Sequence, residues 1–308
     1  YIAKGVDFSN TITHTGFAEL AYAPEDGDTL RLQLFADTLS NDRFVSYGFP
    51  GSYRTQIGEA RLRYDFARDG FGGHLTTSTV TGGSFRLVRA AAKESFNSGV
   101  IALDRRDISQ GPAANDIIDS PFTPDGPGLV GLGWENNIHS ATTNAGAFVT
   151  SDIAWDRALD LILGGRYDAY NVRSVDQGVL SYAPASGRAD AGRFSYTASL
   201  SYQTAMGLVP YVTTAKTAAI EIGQASEVPT GLLGNGGWLS DSYLNEVGVK
   251  FAGLDGHLFA ALDWYRQTRT QLQKTLGAPT VVGTRGEGEE CDVALTATSK
   301  HCSSRPPG

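Results

Sequence analysis

The sequence lacks any run approaching the roughly 18 consecutive apolar residues of a membrane-crossing helix. It also has one methionine, two cysteines and no surplus of basic charge among its 308 residues. Each shortage excludes something. No segment is long and apolar enough to cross a bilayer as a helix, although barrel strands, whose apolar residues alternate, stay open. Lys and Arg number 25 against 33 Asp and Glu, for a net charge of −8. That is the wrong sign for a phosphate backbone, so nucleic acid is not an expected partner. Cys291 and Cys302 are too few for a disulfide framework. They read as two incidental thiols, with a local disulfide as the alternative.

Catalytic signatures are missing as well. His14, His74, His139, His257 and His301 show no metal-ligand spacing to one another or to the cysteines. The carboxylates are scattered, no nucleophile elbow is present, and no acid–base pair stands out. Gly126, Gly128 and Gly131 spell a dinucleotide-type glycine pattern, but Pro127 interrupts it and no helical period follows, so the segment reads as a loop. No catalytic residue, metal or cofactor is expected. The chain opens at Tyr1 without methionine or signal peptide, and is expected to be a processed or truncated product.

What is present is a period of two. Phe194, Tyr196, Ala198, Leu200 and Tyr202 alternate with Ser195, Thr197, Ser199, Ser201 and Gln203. Successive strand residues point to opposite faces, so this is a ribbon with one apolar and one polar side. Ala60, Leu62, Tyr64 and Phe66 alternate in the same way with Glu59, Arg61, Arg63 and Asp65. Leu159, Leu161, Leu163, Tyr167 and Ala169 share a face opposite Arg166 and Asp168. About a dozen such strands are expected, each near or above the 9–11 residues that cross a bilayer when tilted.

The connections sort by length. Short turns are expected at Pro24-Glu25-Asp26-Gly27, Arg68-Asp69-Gly70 and Leu254-Asp255-Gly256, where Asp-Gly tolerates positive φ. Long polar loops are expected at about 41–53, 105–138, 174–190 and 218–240. Short turns at one end and long loops at the other are how outer-membrane barrels are wired. Charges repeated on one strand face suit a wide polar lumen. Aromatics near strand ends (Tyr64 and Phe66, Tyr167 and Tyr170, Trp264 and Tyr265) suit interfacial girdles. A soluble β-sandwich shares the same period, and a passive porin-like channel of about a dozen strands shares the wiring; both remain alternatives.

Three segments resemble TonB-dependent outer-membrane receptors of the siderophore-receptor type. One is the hairpin of residues 144–173, with Gly146, Phe148, Asp152, Leu161, Leu163, Gly165, Arg166, Tyr167 and Asp168. The second runs from Val209-Pro210-Tyr211-Val212 through a long loop to Tyr243-Leu244-Asn245-Glu246-Val247-Gly248-Val249-Lys250. The third is the strand opening with Gly288, Glu290 and Asp292. Gly165, Arg166, Tyr167, Asp168, Glu246, Gly248, Gly288 and Glu290 are the residues that the resemblance marks as structural.

The resemblance implies an all-β fold, an antiparallel transmembrane barrel of which this chain is an open portion. Family barrels close at 22 strands around a plug, so about a dozen strands make roughly half. Residues 1–298 are expected to form the partial barrel with long extracellular loops, and 299–308 an atypical disordered tail. The implied role is a fragment of an outer-membrane receptor for TonB-dependent uptake of an iron–siderophore or similar scarce chelate. The implied partners are the chelate, outer-membrane lipid and the TonB complex, the last through a plug with no counterpart in this sequence. Arg105, Arg106, Trp134, Tyr182 and Trp238, on the expected long loops, are candidates for ligand capture; packing of the loops against one another is the alternative role.

Overall fold

The computed structural model describes residues 8–24, 27–44, 51–94, 136–177, 184–253, 258–274 and 281–297. The strands are β1 Phe8–Tyr22, β2 Thr29–Phe44, β3 Gly51–Gly70, β4 Leu75–Glu94, β5 Asn136–Trp155 and β6 Leu159–Asp176. They continue with β7 Ala185–Tyr202, β8 Leu208–Ile220, β9 Leu239–Gly253, β10 Leu258–Lys274 and β11 Val281–Ala297. A short helix, α1 (Thr230–Asn235), lies between β8 and β9. The strands form one sheet in chain order, β1 through β11, each antiparallel to the next, with β1 and β11 at its two edges. The expected open portion of an antiparallel barrel is what is seen.

The alternation seen in the sequence sets the faces. The register runs Leu32↔Leu62↔Gly83↔Ala147↔Tyr167↔Phe194 across β2 to β7. These side chains therefore share one face, and it lies open: Leu62 is 50% exposed, Tyr167 56% and Phe194 54%. No second layer of described residues covers this face, so the sandwich alternative falls. A β-sandwich would have buried it.

The sheet must curl. Thr55 Oγ1 on β3 donates to the Ala225 carbonyl at 2.6 Å, yet Ala225 lies only five residues beyond the end of β8 at Ile220. In a flat sheet β3 and β8 would be about 24 Å apart at five strand spacings. Five extended residues reach at most about 18 Å, and these reach less because the chain turns at Gly223, whose carbonyl accepts the Ser226 amide at 3.2 Å. Only a curved wall brings them together, with the polar face concave. The apolar face is then convex.

Along the convex face of β6, apolar or small side chains run from Leu159 to Ala169, after which come Asn171 and Arg173. Ten steps at about 3.3 Å, tilted by about 45°, give a band of roughly 23 Å, close to the ~25 Å of outer-membrane barrels. The strands overshoot that band, since β3, β4 and β5 each reach 20 residues. The expected loops at 41–53, 174–190 and 218–240 are correspondingly shorter, and the one at 105–138 gives up its last three residues to β5. Gly51–Tyr53, Asn136–Ile138, Ser174–Asp176 and Ala185–Asp190 all belong to strands. Beyond the apolar band neither face is apolar, so hydrophobic alternation stops while the hydrogen-bond ladder continues.

Short turns gather at the opposite end. Asp156 and Arg157 carry φ of 51° and 58°, and the Ala158 amide donates to the Trp155 carbonyl at 3.0 Å. Two consecutive positive φ values are the mirror-image turn whose twist suits a hairpin. Beside the β1–β2 turn, Arg68 clasps Asp28 through Nη1 and Nη2 at 2.6 and 2.8 Å, and Tyr64 Oη donates to it at 2.5 Å. The Arg68 bonds, followed by that from Tyr64, hold the Asp28 carboxyl down at a pKa of about 2. Four of the six girdle aromatics share one face and two do not. Tyr64, Phe66, Tyr167 and Trp264 share the convex face, whereas Tyr170 and Tyr265 occupy concave-face register positions. Residues an odd number apart on a strand cannot share a face.

Candidate functional site

The concave face carries a lattice of charge. Arg31 donates to Glu19 at 2.9 Å and to Asp65 at 3.3 Å, and Arg63 donates to Asp65 at 2.5 Å. Glu59 takes Arg61 at 2.9 Å and Arg86 at 3.8 Å. Farther along, Arg166 forks onto Asp168 at 2.6 Å through both Nε and Nη2, and also reaches Ser84 Oγ at 2.9 Å. Asn144 donates to the same carboxylate at 3.0 Å. Gly146 faces this node from β5. A Cβ there would come within 2.3 Å of Asp168 Oδ1 and 2.5 Å of Arg166 Nη2, so any larger residue has to displace the pair.

The residues marked by the family resemblance lie on β6, β9 and β11. Gly165 lies beside the Phe194 ring, and Tyr167 projects outward over Gly192. Tyr211 lies across Gly248, where any Cβ would come within 2.7 Å of its ring, and donates to Glu246 at 2.5 Å. Gly288 and Glu290 on β11 pair in register with Gln267 and Tyr265.

Over the outer mouth lies a strap, residues 221–238, joining β8 to β9. It folds inward onto the concave wall. Besides the Thr55 bond, Ser174 Oγ donates to the Val228 carbonyl at 2.6 Å, and the Val228 amide donates to Ser140 Oγ at 3.2 Å. Val228, Leu232, Leu233 and Trp238 bury with Val172 and Leu239, flanked by Tyr170, Ala189, Ala191 and Ile220. This is the largest apolar cluster among the described residues. Helix α1 closes on Gly236, and Leu233 rests against Gly187 on β7.

The strap also brings buried charge to the wall. Glu227 is 3% exposed and accepts the Ala225 amide at 2.8 Å. Burial pushes its carboxyl above the ordinary carboxylate range, Glu94 nearby adds to this, and the backbone amides oppose it. Glu94 itself accepts from Tyr53 Oη at 2.8 Å, and Tyr53 accepts from Arg43 at 2.8 Å. Below the strap is a cavity of about 280 Å³ lined by Ile57, Arg86, Asn144, Tyr170, Ile220 and Ile222, among others. It offers a guanidinium, an amide and a phenol against an apolar floor. Such a mixture suits a polar or anionic ligand with hydrophobic parts. No cluster of metal-ligating side chains occurs among the described residues.

Of the nominated loop residues, Arg105, Arg106, Trp134 and Tyr182 lie outside the described residues. So does the tail at 299–308. Trp238 is 5% exposed and packs within the strap's apolar cluster, the packing role set out as the alternative for it. Sequence reasoning missed Arg86, Asn144 and Tyr170. Alternation places each on the inner face, but only the register and the strap bring them together.

Comparison with known proteins follows the same lines. The family described as TonB dependent receptor-like, beta-barrel, matches residues 2–299. No curated protein matches the sequence. Among solved structures, the siderophore receptor PiuA from Acinetobacter baumannii superimposes with a TM-score of 0.65 at 14% identity, over 97% of this chain and 49% of that one. The ferric-catecholate import receptor Fiu from Escherichia coli K12 gives 0.66 at 15% identity, over 96% and 46%. The ferric yersiniabactin uptake receptor FyuA from Yersinia pestis gives 0.62 at 12%, over 96% and 41%. The chain thus spans about half, or somewhat less, of the length of these proteins.

Proposed function

Because this chain belongs to the TonB-dependent receptor β-barrel family, we propose that it forms part of the barrel wall of an outer-membrane importer for an iron–siderophore or similar chelate. The family resides in the bacterial outer membrane, and its members are receptors and transporters rather than enzymes. The observation that carries the proposal is the strap folded over a charged lumen, with a mixed polar and apolar cavity beneath it. In this reading the cavity receives ligand at the mouth, and the ion-pair lattice lower down seats a plug. TonB, acting through that plug, supplies the energy for release inward. Preassembled pairs such as Arg166–Asp168 make the wall rigid, so the plug and strap are the parts free to move. A self-closing passive channel gains no support, since β1 and β11 stand at opposite edges of the described sheet.

The test is uptake by the receptor that carries this chain. Iron-starved cells expressing it should accumulate radioactive iron from a ferric catecholate or ferric citrate probe, and a protonophore should stop accumulation. Arg86→Ala and Tyr170→Ala should each weaken probe binding about tenfold or more. Accumulation of both probes that continues unchanged with the protonophore refutes the importer reading.

A further inference from the structure

Beyond the apolar band, the convex face becomes rich in arginine and histidine over five strands, β3 to β7. One register row reads Gln56↔Arg89↔Ala141↔Arg173↔Arg188 across β3 to β7. The next row outward reads Arg54↔Ala91↔His139↔Val175. Arg54, Arg89, His139, Arg173 and Arg188 are all exposed. Ala91 and Ala141 keep the floor low between the long side chains. Arg54, Gln56, Arg89, His139 and Arg173 border a depression of about 450 Å³.

These charges are poorly balanced. Arg54 pairs with Asp42 at 2.7 Å. Arg89, Arg173 and Arg188 have no ion pair or hydrogen bond among the described residues. Asp190, two residues from Arg188 and on the same face, makes no ion pair with them. Arg173 and Arg188 stand directly opposite each other, and like charges in that position destabilise a sheet. Among the described residues, a chain of net charge −8 has concentrated arginines without an ion pair on one outward patch. An external anion would remove the repulsion, and planar guanidinium groups suit phosphate through paired N–H donors.

Height selects the anion's source. Arg173 lies four residues past Ala169, the end of the apolar band. That is about 13 Å along the strand, or roughly 9 Å higher at a 45° tilt. This is the level of lipid headgroups, just outside the hydrocarbon. We propose that the depression between β3 and β6 binds the phosphorylated headgroup of an outer-leaflet lipid, with Arg89 and Arg173 as the phosphate ligands and Arg188, opposite Arg173 on β7, adding charge beside them. Arg54 and His139 complete the rim, and the lipid's acyl chains run down the apolar face below. The proposal rests on the reading that the convex face meets lipid.

The test is titration of the 308-residue chain in detergent micelles with diphosphorylated lipid A, counting bound lipid by native mass spectrometry. Dephosphorylated lipid A and inorganic phosphate are the comparison arms. Diphosphorylated lipid A should bind at about one equivalent, and R89Q/R173Q/R188Q should weaken it roughly tenfold or more. R89K/R173K/R188K, which keeps the charge but not the paired donors, should weaken binding clearly less than the glutamine variant, which separates charge loss from misfolding. R61Q/R63Q, on the concave face, should leave it unchanged. Equal weakening by the concave-face variant, or equal binding of dephosphorylated lipid, overturns the site. Inorganic phosphate bound as tightly as lipid A overturns the lipid assignment. A chain that stays in the aqueous phase without detergent refutes the lipid-facing wall itself, a failure distinct from loss of this site.

Discussion

Replacing Ser174 with alanine should loosen the strap without loosening the wall. Ser174 has no exposed surface, and its hydroxyl donates at 2.6 Å to the Val228 carbonyl, which is equally buried. Alanine removes the donor and leaves a carbonyl with neither water nor protein partner. Stranding a buried polar group costs about 1–3 kcal/mol. If that cost falls on strap docking alone, at 1.4 kcal/mol per tenfold, the open population should rise roughly 5- to 140-fold. Hydrogen exchange reads this directly. The Gly223 amide is held by the Glu227 carbonyl at 2.8 Å and the Leu232 amide by the Pro229 carbonyl at 3.1 Å, and both should lose protection by that factor. Amides of β5 and β6 should keep theirs. Thr55→Val removes the separate bond to Ala225 and should add to the effect, since the two anchors share no partner. Strap protection unchanged within twofold would refute the reasoning. A uniform loss across the strands would show that the bond belongs to the wall instead.

Three further outcomes follow from the charged positions. Gly146→Val should displace the Arg166–Asp168 pair and lower stability by about 1–3 kcal/mol, read as urea unfolding from vesicles; a change below about 0.3 kcal/mol contradicts the packing. Asp28 has a depressed pKa, so its stabilisation is complete above the ordinary carboxylate value of 3.8 and is lost as pH falls through about 2. Asp28→Asn should flatten that acid limb of unfolding, and an unchanged limb argues against the Arg68 clasp. Glu227 has a raised pKa, so docking of the strap is favoured below 4.5 and weakens as pH rises through the raised value. Intrinsic-rate-corrected exchange of residues 223–232 should therefore increase with pH, and Glu227→Gln should abolish the trend; a trend of opposite sign refutes the burial argument.

Period-two patterning made the wall legible. In β6 and β7 it placed Leu161, Tyr167, Phe194 and Leu200 on one face and Arg166, Asp168 and Ser195 on the other, as the register confirms. It also made Arg166–Asp168 readable as a same-face pair two residues apart. The long ion pairs were not readable. Glu19, Arg31 and Asp65 come from three strands, and their meeting depends on register set by turn lengths. Strand ends were missed where the lipid band stops, because Asn171, Arg173, Asp190 and Arg188 are polar on the convex face too.

The strap was the larger omission. Its stretch from Val228 to Trp238 carries Leu232, Leu233 and Trp238 with Pro229 before the helix and Gly236 after it, a short helical signal inside a Gly-rich loop. Nothing local says that such a segment turns inward. That follows from Val172, Ser174 and Gly187 forming a seat on the wall, which is tertiary information.

Spin labels placed singly at 160 through 169 on β6, in a chain with Cys291 and Cys302 changed to Ser and reconstituted in vesicles, measure the orientation of the wall. Accessibility to oxygen should peak at odd positions, from Leu161 to Ala169, while accessibility to a water-soluble nickel chelate should peak at even ones such as Ile162, Arg166 and Asp168. In-phase profiles, or peaks spaced every three to four residues, would contradict a wall with lipid on one side and an aqueous bore on the other.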